Sequence, residues 1–376
     1  MRPEVAFPAN CLKYRKIWRI VCYPPSRFFF VMDFDKYSSQ FNQLAILNDY
    51  TTEYVDSCLK YAKKLVDNNL PIIYDSEHFS ELVGFKLSYI KTVVEYPKSF
   101  YWIYKIKKHS GGIRKINAPL PNLKQIQYWI LENILNTQKV SPYAKAFVHG
   151  KKLKENVRFH RNRKIVIKFD VHDFFGSIRE NSIKAIFRSF GYINPVADLL
   201  AMLCCLDHVL PQGAPTSPYL SNLFMLDFDA HIALYCKEHT IYYTRYADDL
   251  TFSSDSNINE YELTSLVKKE LNIIGLHLNN NKTKVMPRNT RQVVTGIVVN
   301  QKLQVDKDKR RKIRQEVFYI KKWGLESHLQ KIGCSKKNYL KHLLGELTFM
   351  LSLTPQNLQL KADIEYIRKL WEENLM

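Results

Sequence analysis

The clearest alternation in the chain lies at 241–252. Ile241, Tyr243 and Arg245 alternate with Tyr242 and Thr244, and Leu250, Thr251 and Phe252 resume the apolar pattern beyond Tyr246-Ala247-Asp248-Asp249. This predicts a hairpin with two adjacent acids at its tip. Upstream, Ile165, Ile167 and Phe169 recur with period two, which predicts a strand ending on Asp170. The chain then leaves the strand. A helix follows, capped near Asn181, with Ile183, Ile186, Phe187 and Phe190 on one face and Gly191 closing it. Between these segments, Leu210 to Pro218 forms a Pro-rich loop. Ser217 before Pro218 marks a helix start, and Leu220, Leu223, Phe224 and Leu226 continue it. Helical spacing also links Leu123, Ile126, Ile130 and Ile134, and later Ile313, Val317 and Ile320.

Adjacent carboxylates repel, so Asp248 and Asp249 are costly side by side unless they are solvated or hold a cation. Mg²⁺ suits such a pair because it prefers carboxylate oxygens and substrate phosphates. Read singly, such a pair is more often a solvated hairpin tip, and Asp170 is equally a strand-end acid capping a turn. Asp170 and Asp248 can meet only if their strands pair in one sheet. In the intervening loop, Gln212-Gly213 offers an amide side chain next to bare backbone, where something flat can approach closely.

In this order, the Asp170 strand, the Pro211-Gln212-Gly213 loop and the Tyr246–Asp249 hairpin resemble the palm of a reverse transcriptase. Ser110 to Pro119 resembles the fingers hairpin of bacterial reverse transcriptases, where a Gly-Gly turn precedes a basic residue for the incoming triphosphate, here Arg114. Asn279 to Lys284 resembles the palm loop that carries a lysine, here Lys282. Two further elements resemble retron reverse transcriptases. Asn156 to His160 matches an Asn-Ala-x-x-His element except at Val157, and Val293 to Asn300 matches an element built on Val-Thr-Gly, with Thr295-Gly296 at its centre. The resemblance covers residues 80 to 350.

It implies an α+β right-hand polymerase fold, with fingers, a palm of antiparallel sheet backed by helices, and a helical thumb. The expected division is an N-terminal extension over 1–75, fingers over 76–160, palm over 161–300 and thumb over 301–376. Two Mg²⁺ ions about 3.5–4 Å apart, with Mn²⁺ able to substitute, would stabilise the attacking and leaving oxygens of nucleotide addition. Asp170 and Asp248 are the expected bridging ligands, Asp249 a weaker contributor, and the Val171 backbone a source of a carbonyl. Phe175 matches the aromatic gate beneath the sugar, favouring dNTPs and arguing against an RNA-copying RNA polymerase; packing of Phe174 and Phe175 in the core is the plainer alternative. Gln212 and Gly213 would line the nucleotide pocket, and Lys282 would meet pyrophosphate or simply be a solvated lysine. Asn156, His160, Thr295 and Gly296 are expected at RNA or DNA, although His160 is equally a satisfied surface residue and Thr295-Gly296 a strand bend.

Charge changes the picture at the C-terminal end. The chain has 56 Lys and Arg against 36 Asp and Glu, a formal charge of +20, so a polyanion is the natural partner. Lys309, Arg310, Arg311, Lys312 and Arg314 crowd onto one helix whose other face is apolar. In the family this region is the thumb, and these bases are expected at the primer–template duplex with salt-sensitive contacts.

The remaining composition sets bounds. Seven cysteines without CxxC spacing imply reduced thiols, and Cys204-Cys205 sits in an apolar run and reads as buried. Phe28 to Met32 is too short to cross a bilayer, so a soluble, cytoplasmic protein without membrane contact is expected. Tyr14, Trp18, Tyr23 and Phe28 to Phe30, mixed with bases, suggest RNA or partner docking, or else an added helical layer.

The retron resemblance implies as partners dNTPs, a cognate structured non-coding RNA and its DNA product. That product would be branched multicopy single-stranded DNA (msDNA) begun from an internal 2′-hydroxyl. A separate effector protein would complete an anti-phage system. Another defence-type (abortive-infection) reverse transcriptase, with protein-primed or untemplated synthesis, and a catalytically silent RNA-binding scaffold are the alternatives. A group II intron enzyme would normally need a further maturase domain.

Overall fold

The computed structural model describes residues 33–107, 111–333 and 338–374. The chain divides into two compact units, one formed by 1–140 with 173–225 and the other by 141–172 with 226–376. Tyr14, Trp18, Tyr23 and Phe28 to Phe30 lie outside the described residues.

The first unit opens with helices Phe34–Leu47 and Thr52–Asp67, capped by the side chains of Asp33 and Thr51. Their buried residues, Tyr37, Phe41 and Ala45 on one and Val55, Cys58, Ala62 and Leu65 on the other, recur at helical spacing. Strands β1 (Tyr101–Lys107) and β2 (Ile113–Pro119) then pair as an antiparallel hairpin, with Ile106 opposite Arg114. Helix Pro121–Asn133 buries Leu123, Ile126 and Ile130, as the periodicity predicts. Its buried Gln127 donates to the Tyr101 hydroxyl and to the Leu203 carbonyl, linking hairpin and helix Asn194–Cys204.

Two helix starts differ from the sequence expectation. The helix expected to be capped near Asn181 runs Glu180–Phe190 with Arg179 at its N-cap, and its end is closed by Gly191 at φ 114°. Ser217 is the first helical residue rather than the cap, because its hydroxyl donates back to the Pro211 carbonyl at 2.8 Å. That helix ends at Phe224, and a second one spans Leu226–Glu238 in the other unit.

The second unit is built on a four-stranded antiparallel sheet in the order β4-β5-β3-β6, with β3 at Ile165–Asp170, β4 at Tyr242–Tyr246, β5 at Asp249–Ser254 and β6 at Lys284–Pro287. The predicted pairing of the two acid-bearing strands is therefore present. On the sheet's buried face Phe252 stacks on Tyr243 and meets Phe169 edge to face, which explains the apolar alternation. A smaller sheet, β7 (Val293–Val294), β8 (Ile297–Val298) and β9 (Gln304–Val305), leads into helices Lys307–Trp323, Leu325–Lys331, Tyr339–Leu353 and Leu358–Glu373. Val294, Ile297, Ile313, Val317, Leu347 and Ile367 share one core there. Among the described residues, no helix is long and apolar enough to cross a membrane.

Candidate active site

Strand register brings the acids together. Antiparallel pairing sets Asp170 directly opposite Asp249, and Tyr246 faces Asp249 across the β4–β5 hairpin. The turn is made by Ala247 and Asp248, with Ala247 in the left-handed region at φ 58°. From β3, the Val171 N–H donates to the Asp248 carbonyl at 3.0 Å, fixing the tip against the neighbouring strand's end. Asp170, Val171, Asp248 and Asp249 thus form one group in the second unit.

The electrostatics are anionic and only partly compensated. Lys282 Nζ lies 3.0 Å from each Asp170 carboxylate oxygen. The Asn279 side chain donates to one of those oxygens at 3.2 Å, and the Asn279 N–H to the Asp170 carbonyl at 2.7 Å. Lys168, two residues earlier on β3, stands 3.5 Å from Asp249. Among the described residues, no ion pair of this kind is made by Asp248. Burial first, then the charges of Asp249 and Asp170, push its carboxyl up to about 6, with Lys282 offsetting part of the effect.

That donor set suits a hard divalent cation: carboxylate oxygens in excess of positive charge, with an ammonium already drawn onto Asp170. Among the described residues, no three His, Cys, Asp or Glu side chains form a finished metal cage. Mg²⁺ is commonly held by one or two carboxylates together with water and substrate phosphates.

Behind the hairpin lies a feature that sequence reasoning missed. Arg245 and Asp229 are both fully buried and form a two-pronged ion pair, with Nη2 to Oδ2 at 2.7 Å and Nε to Oδ1 at 2.9 Å. The Tyr243 hydroxyl donates to the same carboxylate at 2.8 Å. Arg245 Nη1 also reaches the Ala247 carbonyl at 3.4 Å, so the pair ties helix Leu226–Glu238 to the left-handed turn bearing Asp248. Nothing local signalled this partnership, since Asp229 reads as an ordinary acid in a helix's first turn.

Asn156 and His160 require correction. Both are fully buried, which leaves no polar edge for RNA or DNA. Thr244 donates to Asn156 Oδ1 at 2.7 Å, so its oxygen is free to accept from His160 Nε2 at 2.7 Å. His160 Nδ1 then accepts from Ser253 at 2.7 Å. Burial lowers the imidazole to about 3 and keeps it neutral. These two residues lock the segment before β3 onto β4 and β5, and Asn156 extends the lock to Thr295 at 3.4 Å. Thr295 at φ 44° and Gly296 at φ 81° form the β7–β8 turn.

The basic helix Lys307–Trp323 has the predicted two faces, with Ile313, Val317 and Ile320 buried. Lys309 is engaged by Glu346 at 2.9 Å and Lys312 faces Glu316 at 3.8 Å, while Arg311 and Arg314 are exposed and Arg310 is half-buried.

The remaining predicted residues belong to the first unit. Arg114 is exposed on β2, and Phe175 is half-buried beside Phe174. The Gln212 carbonyl accepts from the Asn117 N–H at 2.8 Å, docking the Pro-rich loop onto β2. Gly213 is required there: at φ 131°, a Cβ would lie 2.7 Å from the Asn117 carbonyl oxygen.

Comparison with known proteins gives the chain's relatives. The family model for reverse transcriptases (RNA-dependent DNA polymerases) matches residues 106–337. The retron Ec86 reverse transcriptase of Escherichia coli is 29% identical over 310 residues, covering 82% of this chain and 92% of the relative. The retron Ec83 reverse transcriptase of Escherichia coli is 31% identical, with 74% and 89% covered. The retron Mx65 reverse transcriptase of Myxococcus xanthus is also 31% identical, with 68% and 62% covered. Among solved structures, telomerase from Candida tropicalis is similar at a TM-score of 0.44 and 13% identity, over 77% of this chain and 57% of that one, a likeness too slight to bear on function.

Proposed function

Because the chain belongs to the reverse transcriptase family, and within it to the retron reverse transcriptases, we propose that this RNA-directed DNA polymerase copies a cognate structured RNA from an internal 2′-hydroxyl, giving branched msDNA. The observation that carries the catalytic part of this reading is the register of β3 and β5, with Asp170 opposite Asp249 and Asp248 at the adjoining turn. In nucleotide addition, a primer hydroxyl attacks the α-phosphate, a new P–O bond forms, and the bond to pyrophosphate breaks. Asp170 and Asp248 would hold two divalent ions, Mg²⁺ or Mn²⁺, with Asp249 and the Val171 carbonyl as weaker contributors. Bound there, the ions would neutralise charge on the attacking and leaving oxygens.

The chain's own residues supply position and further charge. Lys282, which lies on Asp170, is an ammonium at the acids that could meet phosphate oxygens or give a proton to the departing pyrophosphate. Arg114, Phe175, Gln212 and Gly213 are assigned to the dNTP by their motifs, and the docking of Gln212-Gly213 onto β2 supports that assignment for the loop. Thr295 and Gly296 stay as candidates for RNA contact, together with the outward bases Arg311 and Arg314. Asn156 and His160 support the reading from inside. A separate effector protein would use the RNA–DNA hybrid in defence against phage.

The test expresses the chain with its native flanking DNA and compares wild type with Asp248→Ala. A short discrete DNA that shifts on debranching and disappears in the variant is expected. DNA that depends on Asp248 but lacks a 2′ branch would replace the msDNA reading with another mode of priming. No DNA from wild type, with RNA still bound, would remove the polymerase reading altogether.

A further inference from the structure

We infer that the second unit contains a nucleotide-binding pocket separate from the aspartates, bordered by helix Lys307–Trp323, the segment 302–305 and the linker 354–357. Its volume is about 620 Å³, within the range of sites that enclose small molecules. Leu303, Met350 and Leu353 give it an apolar floor, and Pro355 adds a flat edge. Lys154, Arg161, Lys302, Arg310 and Arg314 border it, and no carboxylate does.

Three cations of the same helix are already engaged by acids. Lys309, Lys312 and Lys321 each face an acid, at 2.9 Å from Glu346, 3.8 Å from Glu316 and 2.6 Å from Asp363. Among the described residues, Arg161, Lys302, Arg310 and Arg314 have no acidic partner. Arg310 Nε is buried and has no acceptor among the described residues, so the Nη groups are the ones left to meet a ligand.

Unpaired guanidinium groups over an apolar floor select an anion that also has a flat apolar part. A phosphate track along a duplex needs the charges but not the floor; a nucleotide uses both. Its phosphate would meet Arg310 and Arg314, and its base would lie on Leu303 and Met350. The source is either one unit of a bound RNA or a free nucleotide, and only the first source rests on the polymerase reading.

The test labels the full chain with two photoreactive probes, 8-azidoadenosine 5′-monophosphate and a 4-thiouridine-bearing RNA transcribed from the gene's flanking DNA. Labelled peptides are then mapped. A pocket pair, Arg161→Glu with Lys302→Glu, is compared with a control pair of equal charge change, Lys268→Glu with Lys269→Glu, on helix Glu260–Ile273; all four positions are exposed. Labelling within 302–305 or 350–360, reduced about tenfold by the pocket pair and little by the control pair, is the expected result. A label from the RNA alone identifies an RNA unit as occupant, and a label from the azido nucleotide alone identifies a free nucleotide. No label within 302–305 or 350–360, or equal loss from both pairs, would overturn the pocket. DNA synthesis on poly(rA)·oligo(dT) by wild type and Asp248→Ala is read beside it. A labelled pocket on a chain that makes no DNA would keep this inference and sink the polymerase reading.

Discussion

Asp248 and His160 respond to acid in opposite senses, and burial is the first cause of both shifts. For Asp248, the rise from 3.8 to about 6 makes ionisation harder in the folded chain. The resulting penalty is fully present above about pH 6, shrinks as pH falls, and is gone below the unfolded value near 4. Full burial would make it about 3 kcal/mol, and partial exposure reduces it to about 1–2 kcal/mol. Asp248→Asn should therefore make the metal-free protein more stable by that amount at pH 7.5, with no gain at pH 4. Urea unfolding at the two pH values checks this, and a gain independent of pH would refute it. His160, lowered from 6.5 to about 3, instead costs stability as pH falls from about 6.5, because only the unfolded chain takes up the proton. His160→Gln should flatten that acid-side decline in the same titration.

At the scale of elements, the buried Arg245–Asp229 pair holds the turn that carries Asp248. Removing one partner strands the other charge, so Asp229→Ala should cost about 3–5 kcal/mol, whereas Asp229→Leu with Arg245→Met together should cost far less. Denaturation of both single variants and the double one measures this, and simple additivity would mean that the two side chains do not act as a pair. Gly213→Ala should disturb the loop docked on β2, because its Cβ would strike the Asn117 carbonyl at a backbone angle that alanine resists. A loss of about 1–3 kcal/mol is expected, with KM for dNTP rising; unchanged kinetics would remove the loop from the nucleotide's path. The acid-bearing strands were legible in the sequence because a strand's period is local, and Phe169, Tyr243 and Phe252 write it plainly. Partnerships across distance were not. Nothing near Asp170 names Lys282, 112 positions away, and polar Asn156 and His160 look like surface residues until β4 and β5 close over them. The cap at Arg179 instead of Asn181 was missed for a different reason, since Arg179 makes no side-chain cap bond that its residue type would advertise.

For the molecule as a whole, a charge of +20 makes association with nucleic acid depend on salt. Arg311→Ala, at an exposed position on the basic helix, should lower the slope of log affinity against log salt by about 0.7–0.9 if it meets one phosphate. Filter binding over a salt series decides, and an unchanged slope would take that residue off the backbone path. The sheet order has a consequence in time. β3 lies between β5 and β6, yet β5 begins at Asp249 and β6 at Lys284, well after β3 ends at Asp170. At about 5–20 residues per second, a ribosome takes some 4–16 seconds to add the first partner. During that interval the Ile165–Asp170 strand has both edges open, which makes the newly made chain vulnerable to self-association before the enzyme exists. Slower growth at lower temperature lengthens the gap but weakens the apolar contacts that would exploit it.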